Sequence, residues 1–154
     1  MNILIVCTGN TCRSPMAEAI LKKELKDTGK SDDKYTIISA GISTINGMNA
    51  SGNAIEVLRE KDIDLLGHKS RVITLDLINK ADIILTMTKS HKDILMQLAP
   101  EYIDKIYTFR EFAGLEKLDI SDPFGGSLDV YRNTLIEISD TVSKVIEKLN
   151  ALNL

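Results

Sequence analysis

The chain has little of several residue types that mark specialised classes of protein. Its 154 residues include no tryptophan, two cysteines and three prolines, and aromatic residues make up 5% of the total. Two cysteines are too few for a disulfide framework, and the longest apolar runs are too short to span a bilayer. The net charge of -3 gives no electrostatic reason to expect nucleic acid or an anionic membrane as a partner.

What remains is the composition of an ordinary soluble globule, with 44% hydrophobic and 27% charged residues. The length predicts one domain over residues 1–154, and no repeat or Pro/Gly-rich linker divides it. The first strand begins almost at once, so we expect no signal peptide before it. The low cysteine count then favours a reducing, cytoplasmic location, and we expect a monomer with no nucleic-acid or membrane partner.

Hydrophobic periodicity predicts strands that alternate with helices along the chain, which is typical of a parallel sheet with helices on both faces. The predicted strands cover residues 3–6, 35–38, 83–85 and 106–109. The predicted helices run from residue 15 to about 26–28, over 53–61, over 90–98 and from 127 onward, with a charged turn over residues 30–34. In the last helix the predicted inward positions are Leu135, Ile138, Val142, Val145, Leu149 and Leu152.

The most informative segment is the octet CTGNTCRS over residues 7–14, between an apolar run and Pro15. An aliphatic run followed by a small polar turn with glycine is typical of a strand–loop–helix junction. Ser14 is predicted to cap the helix, with Pro15 at its first position. Gly9 and Asn10 are predicted to supply unusual backbone angles in the loop.

These features together predict a phosphate-binding loop with a thiolate at its base. The helix N-terminus directs free N–H groups and positive dipole into the loop, which favours phosphate. Cys7 lies in that field, which favours its thiolate form, and Arg13 can grip two phosphate oxygens. A cysteine near a strand end is more often a small buried hydrophobe, but the surrounding context favours the functional interpretation. The other predicted loop contacts are Thr8, Gly9, Asn10, Thr11, Cys12 and Ser14.

A second segment, SDPFGG over residues 121–126, precedes the last helix. Its composition is that of a turn, and this is the alternative to a functional role. A thiolate that attacks phosphorus needs an acid to protonate the leaving group, and a carboxylate beside Phe124 on a glycine-rich loop suits that task. We therefore predict Asp122 as the general acid.

The remaining polar candidates are two histidines and the second cysteine. His68 is predicted to support Ser39 and Asn10 in a hydrogen-bond network, although a lone histidine is more often an ordinary surface or core residue. His91 is expected on a solvated helix surface. Cys12 is either a buried thiol facing the helix or a redox partner that forms a reversible disulfide with Cys7. The spacing of these residues offers no metal site, and we expect no cofactor.

Three strings carry a resemblance to a known family: VCTGNTCRSPMAE over residues 6–18, SAG over 39–41 and DPFGG over 122–126. Together they resemble the low molecular weight protein tyrosine phosphatases over essentially the full length. The resemblance implies a flavodoxin-like fold with a four-stranded parallel sheet. It implies that the nucleophile, phosphate clamp and general acid are Cys7, Arg13 and Asp122. The residues it implies as the network bracing the loop, with Ser14 favouring the thiolate, are Asn10, Ser14, Ser39 and His68.

Two positions differ from the tyrosine-specific members, which usually carry a bulky aliphatic residue at position 11 and two adjacent aromatics after Asp-Pro. Thr11 and the single aromatic Phe124 resemble the bacterial protein arginine phosphatase branch. A polar, β-branched Thr11 shortens the pocket wall, and Phe124 can stack on a planar guanidinium. We therefore predict hydrolysis of phosphoarginine in proteins through a cysteinyl-phosphate, with phosphotyrosine as the alternative substrate.

Two rival functions share parts of this pattern. Arsenate reductases have the same fold and loop, but the thioredoxin-coupled ones need further cysteines to relay a disulfide. A phosphocysteine carrier of the sugar-transport type has a similar strand and cysteine loop, yet it has no need for Arg13 or Asp122 at these positions. Both rivals are therefore disfavoured.

Overall fold

The computed structural model describes residues 1–29 and 34–152, which leaves most of the turn predicted over residues 30–34 outside the described residues. Strands and helices alternate through this part of the chain. The strands are β1 (Asn2–Cys7), β2 (Thr36–Gly41), β3 (Ile83–Thr86) and β4 (Ile106–Thr108). The helices are α1 (Arg13–Asp27), α2 (Gly52–Arg59), α3 (Leu75–Lys80), α4 (Lys89–Leu98), α5 (Phe109–Phe112) and α6 (Leu128–Leu152), with a 3₁₀ helix over Pro100–Lys105.

The strands form one parallel sheet in the order β2-β1-β3-β4. Because β1 lies between β2 and β3, the chain leaves β1 in one direction and crosses back over it to reach β3. Such a reversal is a topological switch point, where ligands bind beside the carboxyl ends of the strands. The predicted four-stranded parallel sheet is confirmed, and Cys7 ends β1 at the switch point.

Alternating side chains of β1 build an apolar layer on each face of the sheet. Ile3, Ile5 and Cys7 belong to a cluster with residues of α1, α2, α5 and α6. Leu4 and Val6 belong to a second cluster with residues of α3 and α4. All five side chains are at most 3% exposed, so β1 is the centre of the molecule and its end is rigidly held.

The long final helix follows its predicted periodicity over most of its length. The predicted positions that are buried are Leu135, Ile138, Val142, Val145 and Leu149. Leu152 is 53% exposed, so its predicted inward orientation is wrong, because the buried stripe ends with Leu149 one turn earlier. No helix among the described residues is long and apolar enough to cross a membrane.

Three short elements were not predicted: α3, α5 and the 3₁₀ helix, each of six residues or fewer. Segments of that length show too little of a 3.6-residue period to be recognised from hydrophobic spacing. Their starts are fixed by local chemistry instead. Thr74 caps α3, and Thr108 forms a capping box with Glu111 at α5.

The carboxyl end of β2 approaches the loop after β1 so closely that only glycine fits. A Cβ added at Gly41 would lie 2.7 Å from the Thr8 carbonyl oxygen, 2.8 Å from Thr44 Cγ2 and 3.1 Å from Asn10 Cβ. A side chain at position 41 would force the loop and β2 apart. The Thr8 carbonyl oxygen belongs to the backbone, so it cannot avoid the added Cβ by adopting another rotamer.

Gly41→Ala is therefore expected to lower the free energy of unfolding by about 1–3 kcal/mol. Gly52→Ala is the matched control, because a Cβ at Gly52 meets nothing within 4 Å in the described structure. It should leave stability unchanged or raise it slightly. Urea denaturation followed by circular dichroism measures both; equal midpoints for Gly41→Ala and the unmodified protein would contradict the close approach.

Candidate active site

The octet forms a loop from the end of β1 to the start of α1, and a cavity of about 290 Å³ opens above it. The cavity is lined by Cys7, Thr8, Gly9, Thr11, Cys12, Arg13, Ser43, Asp122 and Phe124. The structure therefore brings the predicted nucleophile, guanidinium and carboxylate to one cavity, although Asp122 lies far from the other two in the sequence. Ser43, which follows β2, was not predicted; its position after a strand that neighbours β1 is the signal that marks it.

The backbone of the loop departs from two predictions. Asn10 has a positive φ of 56°, as predicted, whereas Gly9 does not, and a Cβ at Gly9 would make an ordinary 3.6 Å contact with Thr11 Oγ1. The predicted capping of α1 by Ser14 is also wrong. Cys12 occupies the N-cap position and no side chain caps the helix, because the Ser14 hydroxyl bonds inside the loop instead.

Asn10 and Ser14 are fully buried behind the loop, and their hydrogen bonds form a directed chain. The Asn10 amide nitrogen donates to Ser14 Oγ and to Ser39 Oγ, each at 2.9 Å. Since each hydroxyl already accepts a bond, its own proton is free to be donated onward. Ser39 donates to Glu18 Oε1 at 2.7 Å, and Ser14 Oγ lies 2.8 Å from Cys7 Sγ. The Ser14 proton is thus directed at the sulfur, where it stabilises a thiolate.

Two further contacts hold this loop from outside. His68 Nε2 lies 2.7 Å from the Asn10 carbonyl oxygen and donates to it, while the Arg71 backbone N–H donates to Asn10 Oδ1 at 2.9 Å. The predicted support of Asn10 by His68 is therefore present. Ser39 is held by Asn10 and Glu18 rather than by the histidine. Glu18 was not predicted as a member of this network, although its spacing of four from Ser14 places both on one face of α1.

The Asn10 backbone N–H also points at Cys7 Sγ, at 3.2 Å. A backbone donor and the Ser14 hydroxyl thus converge on the sulfur at the amino-terminal end of α1, where the helix dipole is positive. These donors and the helix dipole can stabilise negative charge next to them, including that of an anion bound against the sulfur.

Arg13 closes one side of the cavity with a buried guanidinium. Its Nη1 donates to the Ile120 carbonyl oxygen at 3.0 Å, and its Nη2 lies 3.5 Å from Asp122 Oδ2. The guanidinium side chain is 6% exposed and that of Asp122 57% exposed. The arginine is therefore fixed at one side of the cavity, whereas the carboxylate lies at the edge of the cavity that faces solvent.

The loop that carries Asp122 presents an aromatic ring to solvent. Asp122 Oδ1 accepts from the Phe124 backbone N–H at 3.1 Å, which turns the chain and leaves the Phe124 side chain 79% exposed. A Cβ at Gly126 would lie 2.8 Å from Val130 Cγ1 and 2.9 Å from the Pro123 carbonyl oxygen, so this turn packs tightly on the start of α6. The loop is a turn, as its composition predicted, and it lines the cavity as well.

Cys12 lies in a polar pocket beside the loop. Its Sγ is 3.2 Å from the Tyr131 hydroxyl and 3.5 Å from Ser51 Oγ, and both cysteines are free thiols. Burial and the bond to Cys12 raise the pKa of Tyr131 above its usual value. Both interpretations of Cys12 stay open, because it is buried and it also lines the cavity.

The site can bind a phosphoryl group through the buried arginine and the backbone donors. The polarised thiol can attack that group from below, opposite the exposed carboxylate. Among the described residues, no three histidine, cysteine or acidic side chains are grouped to hold a metal ion.

Residues 2–153 match the sequence model of the low molecular weight phosphotyrosine protein phosphatases. The chain belongs to this family.

Relatives within the family differ in the substrate that their names give. A protein-arginine-phosphatase from Bacillus subtilis is 39% identical over 97% of both chains. A low molecular weight protein-tyrosine-phosphatase, PtpB, from Staphylococcus haemolyticus is 42% identical over 94% of this chain and 97% of its own. A solved structure of the YwlE arginine phosphatase, a mutant with a phosphorylated active-site serine, is 38% identical with a TM-score of 0.92 and covers 97% of this chain and 96% of its own.

One residue of this phosphatase occupies a place that the sequence did not indicate. His91 was expected on a solvated helix surface, but it is 6% exposed, and its Nε2 lies 2.8 Å from Thr8 Oγ1. Burial lowers its pKa to about 4, with Arg13 contributing in the same direction against Asp119 and Asp122. The expectation failed because the apolar spacing of α4 gives no information about which loop meets its first turn.

This pKa predicts how stability depends on pH. An unfolded chain takes up a proton on His91 as the pH falls below about 6.5, whereas the folded phosphatase does so only near pH 4. The protein therefore loses stability as the pH falls through this window, by about 3 kcal/mol from this residue. Chemical denaturation of His91→Gln and of the unmodified phosphatase from pH 7 to 4 should show the variant gaining relative stability by that order. A difference that does not change with pH would contradict the neutral buried imidazole.

Proposed function

We propose that the chain is a protein arginine phosphatase that works through a cysteinyl-phosphate intermediate, with Cys7 as nucleophile, Arg13 as phosphate clamp and Asp122 as general acid and base. The main support for the proposal is the position of Thr11, which lines the same cavity as Cys7, Arg13 and Asp122. The protein-arginine-phosphatase of Bacillus subtilis, at 39% identity, supports the same substrate.

In the first step the Cys7 thiolate attacks phosphorus in line with the departing guanidino nitrogen. The S–P bond forms and the P–N bond breaks, while Asp122 transfers its proton to that nitrogen. Arg13 and the loop N–H groups hold the equatorial oxygens, on which negative charge accumulates. The 57% exposure of the Asp122 side chain supports this assignment, because the leaving group departs toward solvent.

In the second step water attacks the phosphorus of the cysteinyl-phosphate. Asp122, now a carboxylate, takes the proton from this water, the S–P bond breaks and inorganic phosphate leaves. Cys7 departs as a thiolate, and the Ser14 hydroxyl and the Asn10 N–H, at 2.8 and 3.2 Å, stabilise it. The same two donors therefore serve both steps.

A guanidino phosphate suits the cavity better than an aryl phosphate for two reasons. The half-buried Thr11 presents a hydroxyl whose nearest bonding partner is Cys12 Sγ at 3.8 Å, which leaves it available to polar substrate atoms. The single exposed ring of Phe124 offers one face on which a planar guanidinium can stack. Phosphotyrosine is the alternative substrate, and the 42% identical PtpB of Staphylococcus haemolyticus supports it.

This chemistry implies phosphorylated proteins as substrates. We also propose that the protein is a monomer and that it acts in the cytoplasm. Two free thiols in one cavity favour a reducing setting. Oxidation to a Cys7–Cys12 disulfide would remove the nucleophile reversibly, so we include redox sensitivity in the proposal.

Cys7→Ser should bind phosphate or vanadate and release no phosphate from substrate, with turnover lowered at least about a thousandfold, because a serine hydroxyl is not ionised in this loop. Calorimetric titration with vanadate and a phosphate-release assay measure the two properties. Retained turnover would remove Cys7 from the mechanism. Stoichiometric phosphorylation of the unmodified protein without phosphate release would instead indicate a phosphocysteine carrier.

The role of Thr11 is tested by two substitutions that separate size from polarity. Thr11→Val removes the hydroxyl at nearly constant shape, and Thr11→Ile also lengthens the wall. Each should shift the ratio of kcat/KM for a phosphoarginine peptide over the matching phosphotyrosine peptide about 10- to 100-fold toward tyrosine. A preference of the unmodified enzyme for phosphotyrosine would overturn the arginine assignment and leave the family assignment intact.

A further inference from the structure

Among the described residues, Thr8 is the one that lines the cavity and also bonds through its hydroxyl to a side chain of α4, which packs on the opposite face of the sheet from α1. It follows Cys7 directly and is exposed to the cavity, and its Oγ1 lies 2.8 Å from His91 Nε2, 83 residues further along the chain. The other hydroxyls of the cavity, those of Thr11 and Ser43, have no comparable partner among the described residues.

The imidazole is fixed in place before any substrate binds. His91 is the third residue of α4, and its backbone N–H donates at 3.1 Å to Oγ1 of Thr88, the N-cap. Just before it, the Met87 N–H donates to the Val6 carbonyl oxygen at 2.9 Å, so the start of α4 is tied to the end of β1. His91 and the loop that it contacts are therefore both held by the end of β1.

The surroundings of His91 favour the neutral imidazole. The positive groups that face it are the amino-terminal end of α4 and the Arg13 guanidinium of α1; the negative groups are Asp119 and Asp122, from the segment before α6. Burial adds to the positive groups and outweighs the carboxylates, which lowers the pKa of His91 to about 4. Near pH 7 the ring thus carries one proton on one of its two nitrogens.

The unpaired nitrogen identifies the tautomer. Nδ1 is buried and has no hydrogen-bond partner within residues 1–29 and 34–152. A proton on Nδ1 would leave a buried N–H donor unpaired and is the more costly arrangement, whereas a lone pair there is better tolerated. The proton therefore belongs on Nε2, which donates to Thr8 Oγ1. Since that oxygen then accepts from His91, the Thr8 hydroxyl proton is free to point into the cavity.

We propose that His91 is a positioning residue, which donates to Thr8 Oγ1 and so holds the Thr8 hydroxyl as a fixed donor to the phosphoryl group of the bound substrate. This inference rests on the proposed phosphatase function, since it assigns a further donor to the same cavity. A hydroxyl held in this way needs no reorientation when charge accumulates on the equatorial oxygens, so its effect falls mainly on the transition state.

The experiment is a double-mutant cycle with phosphoarginine and phosphotyrosine peptides of one sequence. Thr8→Val removes the donor at nearly constant shape, and His91→Leu removes the group that orients it. Each should lower kcat/KM about tenfold, mainly through kcat, and the double variant should lose no more than either single one. His91→Gln, whose amide can also donate, should recover most of the activity, and Ser90→Ala on the exposed side of α4 should change nothing.

Additive losses in the cycle would show that His91 acts only through the fold and would overturn the proposal. An unchanged kcat/KM for Thr8→Val, in an enzyme that hydrolyses either peptide, would do the same and leave the phosphatase function standing. An unmodified protein that hydrolyses neither peptide would refute the proposed function itself.

A measurement on the unmodified phosphatase tests the proposal even where His91→Leu does not fold. Nitrogen-15 NMR of the imidazole at pH 7 should show a proton on Nε2 and a bare Nδ1, and Thr8→Val should shift the Nε2–H resonance. A proton on Nδ1 would mean that Thr8 donates to the histidine, and the proposal would fall.

Discussion

The hydrogen bonds of Asn10 are the constraint on which the rest of the site depends. Its side chain is fully buried, its φ is 56°, and its own N–H, carbonyl and amide groups contact Cys7, His68, Ser14 and Ser39. A left-handed backbone conformation costs free energy and persists only where the surrounding structure holds it. Asparagine tolerates this conformation better than most residues. The hydrogen bonds offset this cost, because every polar group of Asn10 has a partner. As a result the nucleophile, the helix start and β2 keep one arrangement.

This arrangement requires the sheet order. Cys7 is paired with Gly41 in register, and Val6 with Thr86, so the loops after three strands meet at one edge. Gly41 lets the loop approach the end of β2, and the tie from Met87 to Val6 brings His91 beneath the loop from the other side. Residues distant in the sequence thus meet because neighbouring strands of a parallel sheet end at the same level.

Most parts of the site that the sequence predicted have local chemistry, and the distant Asp122, Ser39 and His68 were predicted from the chemistry that the octet requires or from the family resemblance. Cys7, Arg13 and the start of α1 lie within one turn of chain, and the strand order around them follows from alternating elements. The contacts of Tyr131 with Cys12 and of His91 with Thr8 were not predictable, because they depend on which loop the helices α6 and α4 meet. Ser14 shows a different limit: a serine before Pro15 has the pattern of a cap, yet a buried thiol and amide offered its hydroxyl better partners.

In the proposed mechanism the loop does not distinguish one phosphorylated residue from another, since its backbone donors and Arg13 contact only the phosphoryl group that all of them share. Discrimination must come from the wall and the rim. On the wall, Thr11 places a hydroxyl where an aryl ring would prefer aliphatic carbon. At the rim, Phe124 leaves one face open, and Asp122 can protonate the departing guanidino nitrogen. A phenol leaving group needs only the proton, whereas a guanidino group can also bond to the hydroxyl of Thr11 and stack on the ring of Phe124. The proposed mechanism therefore assigns the choice of substrate to Thr11, Phe124 and Asp122, and the attack on phosphorus to Cys7.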